Sequence, residues 1–197
     1  MGYSVFPVAS TGLTVSDLVA KEDWTLISEY KSTSSVSSIT FSNIPQTYRT
    51  LALNVAGLIE ATGTQTVVLR LRFNGNSGDQ YNNSGVNVQS SAPGNEDVYN
   101  YTNSDAIYIG GTWALGESKR WAGFYEIYNY TKTSTKFIRG YSSFERSGGY
   151  ATKATINVGS YREGSTTNAI TSIAIATGGS IATGSQNYAA VQLFGVK

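Results

Sequence analysis

The chain has 197 residues, with 14 Lys plus Arg against 13 Asp plus Glu, and neither His nor Cys. Near-neutral charge supplies no strong field to draw nucleic acid or an anionic membrane. The missing His and Cys remove disulfides, imidazole and thiolate metal sites, and every Ser-His or Cys-His nucleophile. The 21 Gly and 14 Tyr, with abundant Ser, Thr, Asn and Val against 1 Met, suit pleated strands and tight turns rather than a helical bundle.

Residues 1–22 differ in character from the rest. Tyr3, Val5, Phe6, Val8 and Leu13 are spaced among small polar residues, and Pro7 discourages strand pairing. Residues 14–21 have the pattern of one or two helical turns, capped by Thr14 or Ser16, with Val15, Leu18 and Val19 on one side. A helix this short is marginal in water and needs a docking partner. The segment is therefore expected to be an N-terminal arm that binds a neighbouring subunit through Tyr3, Phe6, Val8, Leu13 and Leu18. No apolar run approaches the roughly 18–20 residues of a membrane helix, and the start lacks the basic and apolar regions of a signal peptide. These features predict a soluble chain.

Residues 23–197 are expected to form one β-sandwich domain. In residues 24–31, Trp24, Leu26, Ser28 and Tyr30 alternate with Thr25, Ile27 and Glu29. Residues 36–41 place Ile39 and Phe41 on one face, and a turn follows in which Pro45 is expected to hold Asn43 and Ile44 extended. Residues 48–56 alternate Leu51, Leu53 and Val55 with Thr50, Ala52 and Asn54. Residues 66–73 set Val67, Leu69, Leu71 and Phe73 inward and Arg70 and Arg72 outward, ending at the Asn74-Gly75-Asn76 turn.

Residues 76–104, rich in Asn, Ser, Gly and Asp, are expected to form a long irregular loop, because they lack a clear apolar period. Strand patterning resumes at residues 105–109 and strongly at 120–130. Residues 136–144 are expected to pair with 120–130 across a turn at 131–134. Residues 154–161, 170–177 and 188–196 complete about ten strands. In residues 170–177, Ile173 and Ile175 against Ala174 and Ala176 suggest a strand covered on both faces. Many short strands without interleaved helices predict an all-β fold, a jelly-roll-like antiparallel sandwich.

Little chemistry survives the composition. Glu126 and Glu145 lie on neighbouring expected strands and raise a carboxylate pair of the glycosidase kind, although a solvated strand face also explains them. Ser118 and Lys119 are adjacent on an extended segment and point opposite ways. Asp79 near Asn76, Asn82 and Asn83 offers oxygen ligands, but turn chemistry accounts for them as well. Gly178-Gly179 lacks the helix that a phosphate loop needs. The formal glycosylation sequons at Asn82, Asn100 and Asn129 matter only in a secretory pathway. No catalytic residue, cofactor or metal is expected, and the chain reads as a non-enzyme. Tyr99, Tyr101, Tyr108 and Trp113 cluster near the irregular stretch, where Tyr99, Tyr101 and Trp113 are candidates for recognising a sugar or protein surface.

Several motifs carry a family resemblance. They are Trp24-Thr25-Leu26-Ile27-Ser28, Ile39-Thr40-Phe41-Ser42-Asn43-Ile44-Pro45-Gln46-Thr47-Tyr48 and Leu69-Arg70-Leu71-Arg72-Phe73-Asn74-Gly75-Asn76-Ser77-Gly78. Further on come Gly123-Phe124-Tyr125-Glu126-Ile127-Tyr128-Asn129-Tyr130, Ile170-Thr171-Ser172-Ile173 and Leu193-Phe194-Gly195-Val196-Lys197. In this order the chain resembles small structural proteins of tailed-bacteriophage virions, over most of residues 24–197. The resemblance implies a jelly-roll-like virion protein assembled in the host cytoplasm. It would be a capsid decoration or cement protein bound to the major capsid protein or another virion protein, as a homotrimer, with no nucleic-acid or membrane partner. The alternative it leaves is the receptor-binding head of a tail fibre or spike, recognising host glycans.

Overall fold

A computed structural model describes residues 23–32, 34, 36–59, 66–67, 69–89, 97–109, 113–114, 119–145, 152–163, 168–181 and 189–197. The expected arm, with Tyr3, Phe6, Val8, Leu13 and Leu18, lies outside them. The described residues contain fourteen strands and no helix. In chain order these are β1 (Trp24–Ser32), β2 (Val36–Phe41), β3 (Thr50–Ile59), β4 (Thr66–Val67), β5 (Arg70–Phe73), β6 (Tyr81–Gln89) and β7 (Asp97–Ser104). There follow β8 (Ile107–Tyr108), β9 (Trp113–Ala114), β10 (Lys119–Tyr128), β11 (Lys136–Glu145), β12 (Thr152–Tyr161), β13 (Ile173–Ile181) and β14 (Ala189–Val196).

The strands build an antiparallel, jelly-roll-like β-sandwich of unequal layers. The large sheet runs β1-β14-β3-β10-β11-β12-β6-β7, the small sheet β2-β13-β5-β8, and β4 pairs with β9 as a separate ribbon. The chain crosses repeatedly between layers, so each sheet gathers strands distant in sequence.

Alternation dictates the core. On the small sheet, Phe41, Ile173 and Phe73 stand in one cross-strand row, and Ile39, Ile175, Leu71 and Ile107 in the next; all are buried. The large sheet faces them with Val191 and Val55, Leu193 and Leu53, and Leu51, Ile127 and Ile138, also buried. Burying each such aliphatic side chain contributes roughly 1.5–3 kcal/mol before the entropy of ordering it. Ala174 and Ala176 are half-buried, so β13 is covered on its isoleucine face and partly open on the other.

Tyrosines close the ends of the sandwich. The Tyr130 hydroxyl donates to the Pro45 carbonyl at 2.7 Å and accepts from the Tyr48 amide at 3.1 Å. Tyr81 accepts from the Phe73 amide at 2.9 Å and donates to the Asn76 carbonyl at 3.0 Å, clasping the Asn74-Gly75 turn. Both turn residues have positive φ, 53° and 70°, the left-handed geometry that Asn and Gly tolerate. Buried Lys136 donates its ammonium to the carbonyls of Lys132 and Ser134 and so fixes the β10–β11 hairpin turn.

Three expectations are corrected by the fold. The stretch 76–104 is not one long irregular loop: 81–89 and 97–104 pair as β6 and β7. Its inward positions are Tyr81, Asn83, Gly85 and Asn87, while Val86 and Val88 face out, so the alternation is present with its polarity inverted. In β1, a bulge between Leu26 and Ser28 inserts Ile27. The bulge leaves Trp24 and Leu26 outside and turns Tyr30 toward the core, where one unbroken alternation was expected. Asn43 adopts φ 56° rather than an extended conformation, because proline restricts only the residue before it, Ile44.

Candidate functional site

The inner face of the large sheet changes character across its width. Toward β12 and β6 its residues are Thr155, Asn157 and Gly159, then Asn83, Gly85 and Asn87. These amides fasten the two-residue strand β8, which is too short to hold itself. Asn157 Nδ2 donates to the Tyr108 carbonyl at 2.8 Å, and Asn83 Nδ2 to the Ala106 carbonyl at 3.4 Å. Tyr125, fully buried, donates its hydroxyl to the Ile109 carbonyl. Thr155 Oγ1 donates to Asn87 Oδ1 at 2.7 Å. The amide-rich composition that suggested a loop thus belongs to a buried polar seam between sheets, where every donated hydrogen bond offsets desolvation.

At this edge lie two of the predicted recognition residues. Tyr99 and Tyr101 have ring centroids 5.6 Å apart, and Tyr101 meets Tyr108 edge-on at 5.1 Å. Burial, with the neighbouring Tyr101, pushes the Tyr99 phenol up to about 12. Tyr108 donates to Asp105 Oδ1 at 3.3 Å; burial, then the Asp105 carboxylate, raises its phenol above the ordinary value. Asp105 in turn pairs with Arg70, at 3.4 Å, and with Arg72. Sequence reading missed Arg70, Arg72 and Asp105 as a group, because Asp105 reaches the two arginines only through the β5–β8 pairing. Trp113 pairs through its backbone with Val67 on β4, and its side chain lies outside the described residues.

The carboxylate pair that Glu126 and Glu145 raised is not assembled. In the β10–β11 register, Glu126 faces Arg139, whose Nε donates to Glu126 Oε2 at 2.6 Å. That hydrogen bond lowers the Glu126 carboxyl and raises the guanidinium. Arg139 also sits 5.2 Å over the Tyr128 ring. Glu145 is six residues farther along β11, roughly 20 Å at about 3.4 Å per residue, about twice the widest spacing glycoside hydrolysis uses. Around Asp79, Asn76 Oδ1 accepts from the Gly78 amide and serves a turn, while Asn82 Oδ1 accepts from the Asn103 amide and ties β6 to β7.

The outer face of the large sheet is the most unusual surface. Register places Phe124, Tyr141, Ile156, Val86 and Val98 directly opposite one another across β10, β11, β12, β6 and β7. Tyr141 is 62%, Ile156 66% and Val98 77% exposed, where solvated positions would ordinarily carry polar residues. Beside this row stand exposed Phe137, Val158 and Val88. At the other end Trp24 stacks on Phe124 at 5.7 Å and meets Phe194 edge-on at 5.7 Å. Ala52, buried although on the outer face, lies opposite Phe194 in the β3–β14 register. The result is an apolar row from β10 to β7, roughly 19 Å long for four interstrand spacings, extended diagonally by Phe194 and Trp24. In register with Phe124 the remaining strands carry Asn54, Gln192 and Glu29, hydrogen-bonded to one another. An exposed stripe of this extent marks a contact surface. Its neighbouring charges are satisfied within the chain, as Glu126 with Arg139 and Glu29 with Lys31.

No family model matches the sequence, and no curated protein does. Among solved structures, a chain from the structure of infectious bursal disease virus, Gt strain, aligns with 86% of this chain at 13% identity and a TM-score of 0.12. This chain spans 42% of that one's length, and a likeness so slight carries no argument about fold or function.

Proposed function

We propose that this chain is a structural protein of a tailed-phage virion, a capsid decoration protein that binds and stabilises the assembled shell. The observation that carries the reading is the apolar stripe across the outer face of the large sheet, a surface built to be covered in an assembly. The motif resemblance to phage virion proteins supports the same reading. A protein of this kind acts by adding buried area across subunit boundaries, and binding only the assembled shell stabilises that shell by mass action.

Capsids assembled with the chain are expected to rupture at higher temperature and greater osmotic stress than capsids without it. Equal rupture thresholds would remove the cement reading. Deleting residues 1–22 is expected to abolish shell binding while the sandwich keeps its far-ultraviolet circular dichroism spectrum. Undiminished binding would show that the arm is not the anchor.

A second reading, a receptor-binding head, rests on the Tyr99–Tyr101–Tyr108 ladder that ends beside Arg70 and Arg72. Aromatic faces and guanidinium donors suit sugars. Glycan binding lost in Tyr101→Ala, together with unchanged capsid stability, would move the assignment to that reading.

A further inference from the structure

We infer that the outer face of the eight-stranded sheet is covered by the same face of a second copy of this chain. The inference deepens the proposal above and rests on it only in taking this face as an assembly surface.

The argument for a second copy starts with charge. A partner of opposite charge would need unpaired acidic or basic groups along the stripe. The described charges flanking it are instead neutralised within the chain, Arg139 by Glu126 and Lys31 by Glu29. A face with no net charge is compatible with itself, whereas a singly charged one would repel its copy. Shape gives the second argument. One end of the stripe is aromatic, with Trp24, Phe194 and Phe124, and the other is β-branched, with Ile156, Val86 and Val98. A two-fold axis near its middle, at Tyr141, lays the rings of one copy over the branched side chains of the other. Such an interface is isologous and closes on itself.

Area supplies the third argument. Eight strands at about 4.8 Å, with about seven residues each at about 3.4 Å, make a face of roughly 38 Å by 24 Å. That is roughly 900 Å² per copy, against about 800 Å² per partner in a standard stable interface. Most of the face must therefore be used. Apolar side chains reach both edge strands, and the Asn54–Gln192–Glu29 row beside the aromatic end is hydrogen-bonded within the chain, so it adds area without unpaired charge.

The test uses the full chain in solution. Sedimentation equilibrium at micromolar concentration is expected to give an oligomer that Ile156→Asp weakens roughly a hundredfold or more, because it places an unpaired carboxylate in the contact. Thr40→Asp, on the exposed face of the small sheet, is expected to leave the assembly unchanged. The sequence has no cysteine, so Tyr141→Cys, at the two-fold axis, supplies a single reporter thiol. A short bis-maleimide cross-linker is expected to give covalent dimers from Tyr141→Cys and none from Thr40→Cys, which keeps the test valid if the aspartate variant fails to fold.

A monomeric native chain would overturn the inference, whatever else covers the face. So would an oligomer indifferent to Ile156→Asp, or cross-linking at Thr40→Cys alone. These measurements involve no capsid, so their failure is distinct from failure of the cement reading.

Discussion

Gly140→Ala is expected to destabilise the sandwich by on the order of 3 kcal/mol, at the upper end of overpacking costs. A methyl group at Gly140 would overlap the Tyr125 ring and stand 2.5 Å from the Phe124 carbonyl oxygen. Neither obstacle yields easily. The ring is fully buried and held by its hydroxyl on the Ile109 carbonyl, and the Phe124 carbonyl belongs to the backbone of the paired strand. Relief requires pulling β10 from β11 or withdrawing Tyr125, which also releases one of the ties on β8. Denaturant unfolding checks this, with Gly78→Ala as the control, since its nearest neighbour would be the flexible Asn76 side chain at 3.4 Å. A Gly140→Ala midpoint equal to the native one would show that Tyr125 does not depend on the space above Gly140.

The second large effect is alkaline unfolding. Burial pushes the Tyr161 phenol from 10.0 up to about 12, and Tyr99 likewise to about 12. Burial drives the Tyr81 and Tyr125 phenols further in the same direction. A group whose folded value is raised binds its proton more tightly in the folded state. Its stabilisation is fully present below pH 10 and is lost as pH rises from about 10 through about 12. For the fully buried Tyr161 that amounts to on the order of 2–3 kcal/mol. Circular dichroism followed against pH should show cooperative unfolding in that window, with phenolate absorbance from the buried tyrosines appearing together with it. Tyr161→Phe should reduce the loss, although its hydroxyl's bonds to Asn76 and Glu163 go with it. Phenolate formation that runs to completion while the fold persists would contradict the burial argument.

Legibility in the sequence followed the sign of the alternation. In β3 and β5 the apolar residues face the core, so period two identified both the strand and its buried side; in β10, with aromatics on both faces, it identified the strand alone. In β6 the same period runs with Asn83, Gly85 and Asn87 inward and Val86 and Val88 outward, and in β7 Tyr99 and Tyr101 take the inner face with Val98 and Asn100 outside. Read locally, that looks like a polar loop with scattered apolar residues. Asn83 and Asn157 gain their partners, the carbonyls of Ala106 and Tyr108, only when β8 is laid across from the other sheet. No local pattern announces such a bond. Of the predicted recognition residues, Tyr99 and Tyr101 do meet, because alternate residues of one strand share a face.

Composition and periodicity by themselves determined an all-β antiparallel sandwich, many of its aliphatic core residues and the absence of imidazole or thiol chemistry, because each depends on residue type or on near neighbours. Register decided the rest. Phe124, Tyr141, Ile156, Val86 and Val98 come from five strands and form one exposed row only because each pairing aligns one with the next. A shift of one residue in any pairing would turn that strand's members inward and break the stripe. Its place on the outer face was therefore fixed by tertiary structure, through hydrogen-bond ladders between segments far apart in the chain.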